Sequence, residues 1–165
     1  MERSAINPYL AGALLLTIAL LQTSVMPNFM LFGVVPDLML LVIVSWTLLR
    51  GIQEGIVWAL AGGFMLDLLS GGPFGAITIS LSLSTLVAGS GSPTIFHGAS
   101  WLPALAGAVA TGLYNLLYLI ILQLSGRPMP WGPSLLQVAV PCMIVNALVM
   151  YPIYWAMRWL HHRVS

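Results

Sequence analysis

Long apolar stretches occupy most of the chain, and short segments rich in Gly, Pro and polar residues separate them. A helix needs about 20 apolar residues to cross the roughly 30 Å hydrocarbon core of a bilayer. The pattern predicts an all-α polytopic membrane protein, a single transmembrane domain over residues 1–165 with six helices at about 8–26, 31–49, 54–69, 74–88, 101–124 and 134–159.

Two parts of this pattern leave alternatives open. Pro36 could kink a second helix that begins near Leu31, or it could begin a shorter helix. Five spans, or a re-entrant segment over residues 29–35, would also fit. In the last span, Pro141 and Pro152 predict a kink near each proline.

Composition supports insertion in a membrane and narrows the function. Hydrophobic residues make up 59% of the chain and charged residues 5%, against about 25% charged residues in an ordinary soluble domain. The net charge is +1 and the chain has no lysine, which argues against binding to nucleic acid, since that needs a basic patch. The single cysteine excludes an intramolecular disulfide.

The distribution of arginines predicts the orientation. Six spans place both termini on one side, and cytoplasmic loops carry an excess of Lys and Arg. With both termini in the cytoplasm, only Arg127 lies outside, and the cytoplasmic arginines are Arg3, Arg50, Arg158 and Arg163.

The segment from Pro36 to Gly75 contains three of the four acidic residues, and we expect any specific site to lie there. Asp37 follows Pro36 at a predicted helix N-terminus, where a carboxylate is favourable. Glu54 begins the next span and is close enough to Arg50 to pair with it.

Small residues form a stripe on the third span. At about 100° per residue, Gly55, Ala59, Gly62 and Gly63 fall on one face. Small residues allow helices to approach closely in a membrane. The stripe therefore predicts close packing, either within the chain or in a groove for the helix of a partner.

Asp67 lies near the C-terminus of the third span, where the helix dipole disfavours a carboxylate, and a membrane-embedded acid is costly. We expect compensation by protonation, by hydrogen bonds from the Gly71–Gly72 turn or by a cationic partner. Asn115 lies at a predicted depth similar to that of Asp67, and Arg127 lies on the same predicted side. This position allows three roles: capping and stabilisation of a turn, contact with a partner, and transport of protons or ions.

No arrangement of residues in the sequence predicts catalysis. Asp37 and Asp67 share a predicted side, but the Gly-x-Gly-Asp pattern of intramembrane aspartyl proteases is absent, as is Gly-x-Ser-x-Gly. The His161–His162 pair has poor spacing for a metal and is expected at the surface. We therefore expect no enzyme activity, no cofactor and no metal. Polar residues of spans four and six could line a small-molecule cavity, namely Ser80, Ser84, Gln137, Asn146, Tyr151 and Tyr154.

The central segment resembles the family of the rod-shape-determining protein MreD. The matching features are Pro36-Asp37-Leu38, Leu49-Arg50-Gly51, Glu54-Gly55, the run from Gly63 to Gly75 and the ending Asn146…Tyr151-Pro152…Tyr154. Phe74 stands where this family is expected to have Leu.

The resemblance implies a non-enzymatic scaffold of the bacterial elongation machinery in the inner membrane. Its expected partner is MreC, through which it would influence the glycosyltransferase RodA and its class B penicillin-binding protein, with the filament MreB more distant. The family is also similar in fold to the substrate-binding subunits of energy-coupling-factor transporters, so a vitamin-binding transporter subunit is the alternative. The residues expected to serve as a partner-binding or structural motif are Pro36, Asp37, Gly55, Ala59, Gly63, Asp67, Ser70, Gly71, Pro73 and Gly75.

Overall fold

The computed structural model describes residues 8–30, 33–90, 101–127 and 130–164. Within these ranges six long helices form, here numbered α1 (Pro8–Ser24), α2 (Leu38–Arg50), α3 (Ile52–Ser70), α4 (Ala76–Gly89), α5 (Leu102–Leu124) and α6 (Val140–Val164). A 3-10 turn, Met26–Asn28, follows α1, while a single α-helical turn, Trp131–Ser134, and a π-helical turn, Leu135–Ala139, lead into α6. Arg3, Leu31 and residues 91–100, which lie between the fourth and fifth predicted spans, are outside the described residues.

Helix α2 is the centre of the bundle. It contacts each of the other five helices, and ten of its 13 residues are buried. At about 1.5 Å per residue its length is near 20 Å, less than the hydrocarbon thickness. Because its neighbours surround it, the short length leaves little backbone facing lipid.

The bounds of α2 and α3 differ from the prediction. Helix α2 begins at Leu38, because Asp37 caps it there, so of the two predicted starts the one at Pro36 is the nearer. Gly51, with φ of +101°, makes the whole connection to α3, which begins at Ile52. Such a conformation favours glycine. Because one residue makes the connection, α3 begins two residues earlier in the chain than predicted.

In the part of the chain that the structure describes, four helical stretches are long and apolar enough to cross a membrane: Pro8–Asn28, Ile52–Ser70, Leu102–Leu124 and Trp131–Arg163. The other two helices, α2 and α4, are apolar but shorter. The prediction of an all-helical membrane protein is thus confirmed, while the count of six spans stays a prediction.

Contacts between the ends of neighbouring helices define two ends of the bundle. At one end Asp37 is hydrogen-bonded to Gln22 near the end of α1, and we call this the Asp37 end. At the other, the Arg50 end, Arg50 at the end of α2 contacts His161 near the end of α6.

The two prolines of the last span occupy different settings. The π-helical turn Leu135–Ala139 ends immediately before Val140 and Pro141. Proline lacks an N–H group and its ring clashes with the carbonyl four residues earlier, and a wider turn at residues 135–139 accommodates both effects. Pro152 lies inside α6.

Candidate functional site

Asp67 joins α3 to α4. Its side chain is 4% exposed, and its carboxylate accepts hydrogen bonds from the backbone N–H groups of Ile77 and Thr78, each at 3.0 Å. The Thr78 hydroxyl donates to the same carboxylate. Gly75, the residue before α4, has no side chain to cap the helix, so Asp67 satisfies N–H groups that the first turn of a helix leaves unpaired.

The donors to Asp67 are not those named from the sequence. They belong to the first turn of α4, beyond the Gly71–Gly72 turn. Asn115, predicted at a similar depth, donates to the carbonyl of Thr111 in its own helix. The helix dipole that disfavours Asp67 at the end of α3 is offset by the positive N-terminus of α4.

The turn between α3 and α4 depends on two glycines. Gly71 and Gly75 have φ of +64° and +89°, values that favour glycine. The Ser70 hydroxyl accepts from Gly72 N–H at 3.3 Å, and the Pro73 carbonyl accepts from Ala76 N–H at 3.1 Å. The predicted motif from Ser70 to Gly75 is thus the reversal that brings Asp67 to the start of α4.

The small stripe of α3 faces other helices of the same chain. A Cβ atom on Gly55 would overlap the side chain of Thr47 in α2, and one on Gly63 would lie 2.6 Å from the Cα atom of Thr78 in α4. Ala59 is fully buried. The stripe therefore allows α2 and α4 to approach α3 closely.

A second polar cluster surrounds Asp37. Its carboxylate accepts from Leu40 N–H at 3.2 Å and from the Gln22 amide at 2.8 Å. The Gln22 carbonyl oxygen accepts from Met39 N–H at 2.7 Å. Two N–H groups in the first turn of α2 thus find partners, one of them through a residue of α1.

Asn146 extends this cluster to α5 and α6. Its side-chain oxygen accepts from Asp37 N–H at 3.0 Å, and its amide nitrogen donates to the Thr111 hydroxyl at 3.0 Å. That hydroxyl donates to the Gly107 carbonyl. Asn146 is fully buried and Thr111 is 1% exposed, and Pro36, beside Asp37, is also buried. The residues before α2 are non-helical, and at membrane depth such backbone needs partners of this kind.

The Arg50 end holds a cluster that sequence reasoning found only in part. The Arg50 and Glu54 side chains pair at 3.8 Å, as expected. Arg50 is only 8% exposed, its Nε donates to His161 Nδ1 at 2.9 Å, and its guanidinium lies 5.3 Å from the Trp46 ring centroid.

Aromatic rings complete this cluster. The Trp46 indole N–H donates to Glu54 at 3.2 Å, and its ring stacks on Trp58 with centroids 4.7 Å apart. His161 approaches Trp46 edge-on at 6.1 Å. His161 is half-buried, whereas the sequence predicted that it lies at the surface. Arg50 and His161 are 111 positions apart in the chain. No local sequence pattern could therefore have predicted their contact.

The six polar residues considered for a small-molecule cavity do not share one environment. Ser80, Ser84 and Asn146 are fully buried, whereas Gln137 and Tyr151 are exposed. Ser84 donates to the Ser80 carbonyl within α4. Within the described residues, no group of three or more His, Cys, Asp or Glu side chains could hold a metal ion.

A protein-family model described as rod shape-determining protein MreD matches residues 3–164. Comparisons with curated proteins and with solved structures gave no significant match. The likeness to the substrate-binding subunits of energy-coupling-factor transporters therefore stays a prediction.

Proposed function

The chain belongs to the MreD family of rod shape-determining membrane proteins, and from this we propose that it is a non-enzymatic scaffold of the bacterial cell-elongation complex. It lies in the inner membrane as a multi-pass protein with both termini in the cytoplasm. It binds MreC, and through MreC it supports regulation of peptidoglycan synthesis by RodA and the class B penicillin-binding protein, with MreB as a more distant partner.

The observation that carries the proposal is the family match, which covers residues 3–164 of the 165. The roles of three acidic residues fit a scaffold. Asp37 and Asp67 each cap a different helix, and Glu54 pairs with Arg50 and Trp46. These three carboxylates hold helices together, which is a structural use of charge.

The partner helix needs a surface that the fold leaves open. The small stripe of α3 is filled by α2 and α4, so we place Gly55, Ala59 and Gly63 among the structural residues. The opposite face of α3 is apolar and 47–64% exposed, with Val57, Leu60, Phe64 and Leu68 at helical spacing. We propose that the transmembrane helix of MreC packs against this outward face of α3.

Co-expression with MreC and co-purification in mild detergent tests the proposal. Leu60→Trp changes the outward face of α3, where Leu60 is 50% exposed, and Leu148→Trp makes the same change on α6, where Leu148 is 65% exposed. We expect MreC to co-purify with the wild type and with Leu148→Trp, and only a little MreC to co-purify with Leu60→Trp. The thermal stability of all three proteins should be the same.

Other results separate the two parts of the proposal. Loss of MreC from Leu148→Trp but not from Leu60→Trp would move the contact to α6 and keep the scaffold role. Failure of the wild type to retain MreC, both in detergent and after cross-linking in membranes, would overturn the MreC role itself.

A further inference from the structure

The last two turns of α6 carry a stripe of two tryptophans and three basic residues. Trp155, Arg158, Trp159, His162 and Arg163 follow one another at steps of three, one, three and one residues. This spacing places all five on one face of a helix. Trp155 is 71% and Trp159 54% exposed, and the other three are also exposed. We call these five residues the Trp–Arg stripe.

The opposite face of the same turns is fixed to the bundle. Met157 is 6% exposed, Leu160 packs against the core, and His161 accepts the hydrogen bond from Arg50. These contacts hold the orientation of the helix end, so the Trp–Arg stripe points outward in a defined direction.

The charge of the stripe has no counterpart within the described residues. Neither Arg158 nor Arg163 forms an ion pair with a carboxylate in that part of the chain. The guanidinium of Arg163 lies 4.8 Å from the ring centroid of Trp159, a cation–π contact that leaves its N–H donors available. A partner with negative charge would complement this surface.

The setting of the stripe decides which anion fits. It lies at the end of the stretch Trp131–Arg163, which is long and apolar enough to cross a membrane. Exposed tryptophans at such a position lie at the level of lipid headgroups. The dipole of α6 also favours basic residues at its C-terminus, but it does not account for two exposed tryptophans on the same face.

We propose that the Trp–Arg stripe binds the headgroup of an anionic phospholipid, with Arg158 and Arg163 donating to phosphate oxygens and Trp155 and Trp159 lying at the interface. Guanidinium groups suit phosphate oxygens because they offer several donors in a fixed geometry. This inference does not depend on binding of MreC.

Thermal unfolding of the full-length protein in phosphatidylcholine micelles tests the proposal, with phosphatidylglycerol added in steps. We expect phosphatidylglycerol to raise the unfolding temperature of the wild type, and salt to weaken the effect. Each arginine near an anionic surface contributes about a fivefold change in affinity. Arg158→Gln/Arg163→Gln should therefore need far more phosphatidylglycerol for half of the effect.

Two variants control for charge and for folding. Arg127→Gln removes an exposed arginine from the other end of the bundle and should respond like the wild type. Arg158→Lys/Arg163→Lys keeps the charge and should retain most of the response. If the double Gln variant unfolds in phosphatidylcholine alone, native mass spectrometry replaces thermal unfolding. It then compares the amounts of phosphatidylglycerol that the wild type and the double Lys variant retain.

Three results would overturn the proposal. The first is no difference between phosphatidylglycerol and phosphatidylcholine for the wild type. The second is an equal loss of the response in Arg127→Gln. The third is the same stabilisation by inorganic phosphate or by an acidic peptide without phosphatidylglycerol, which would assign the stripe to a soluble anion or to a protein.

Discussion

Thr78 is bound twice by Asp67, since its backbone N–H and its hydroxyl both donate to the same carboxylate oxygen, Oδ2. Ile77 N–H donates to the other oxygen. A residue near the end of α3 thus caps the start of α4, and the turn between them is short because Gly71 and Gly75 adopt positive φ. Asp67 and this turn act as one structural unit.

Asp67→Asn should destabilise the protein. An amide keeps one acceptor oxygen and turns an NH₂ group toward backbone donors, so at least one buried N–H loses its partner. That loss costs about 1–3 kcal/mol. Thermal unfolding in detergent, followed by circular dichroism, should show a clear fall in the midpoint.

Two further variants test the assignment of Asp67. Ser70→Ala removes a hydroxyl from the exposed side of the same turn and should change the midpoint little. Thr78→Val removes one of the three donors, and its effect should largely vanish in the Asp67→Asn background, since the two residues share one interaction. Additive effects would contradict the capping role.

Gly63→Ala should destabilise the contact between α3 and α4. The added Cβ would lie 2.6 Å from the Cα atom of Thr78, so the two backbones must separate, at a cost of about 1–3 kcal/mol. The matched control is Gly12→Ala in α1, where a Cβ meets no atom within 4 Å. There the better helix propensity of alanine should leave stability unchanged or slightly higher. Equal unfolding midpoints for the two variants would show that α3 and α4 pack less closely than the structure indicates.

Asn146→Leu should lower the free energy of unfolding by more than the change in side-chain volume alone would suggest. Leucine offers no acceptor for Asp37 N–H and no donor for the Thr111 hydroxyl, and an unpaired buried group costs about 1–3 kcal/mol. Thr111→Val in the Asn146→Leu background should cost less than Thr111→Val alone. A double-mutant cycle on unfolding free energies measures this coupling, and a coupling energy of zero would contradict the network.

Two local features of this fold could be predicted from the sequence, because each depends on residues close together in the chain. Asp37 after Pro36 predicts a cap, Glu54 four residues after Arg50 predicts a pair, and the structure shows both. The contacts of Asn146 and His161 could not, since their partners lie 109 and 111 positions away. The local sequence around Asn146 does not show whether its side chain lines a cavity or binds the backbone of Asp37.

The start of α2 shows the same limit. Proline permits both a kinked and a new helix, so the residues alone leave the choice open. The amide of Gln22 in α1 and the side-chain oxygen of Asn146 in α6 supply the partners that allow a break at Asp37. Tertiary contacts decide the boundary.

His161→Phe should weaken the Arg50 end of the bundle. Phenylalanine keeps an aromatic edge against Trp46 but removes the nitrogen that accepts from Arg50 Nε. A hydrogen bond to a charged group contributes about 1.5–3 kcal/mol. His162→Phe, one residue along and exposed, is the control and should leave the unfolding midpoint unchanged in phosphatidylcholine micelles. If both variants unfold alike, His161 does not hold α6 to α2.

Recovery of MreC should follow the folding of the scaffold when Asp67 is changed. Because Asp67 is 4% exposed and its carboxylate is engaged by α4, a partner cannot reach it without opening the contact between α3 and α4. We therefore expect Asp67→Asn to lower MreC recovery at growth temperatures near its own unfolding midpoint, and to retain MreC when expression and purification are done in the cold. Leu60→Trp, on the outward face of α3, should lose MreC at both temperatures. Persistent loss of MreC from a fully folded Asp67→Asn variant in the cold would instead make Asp67 part of the contact surface.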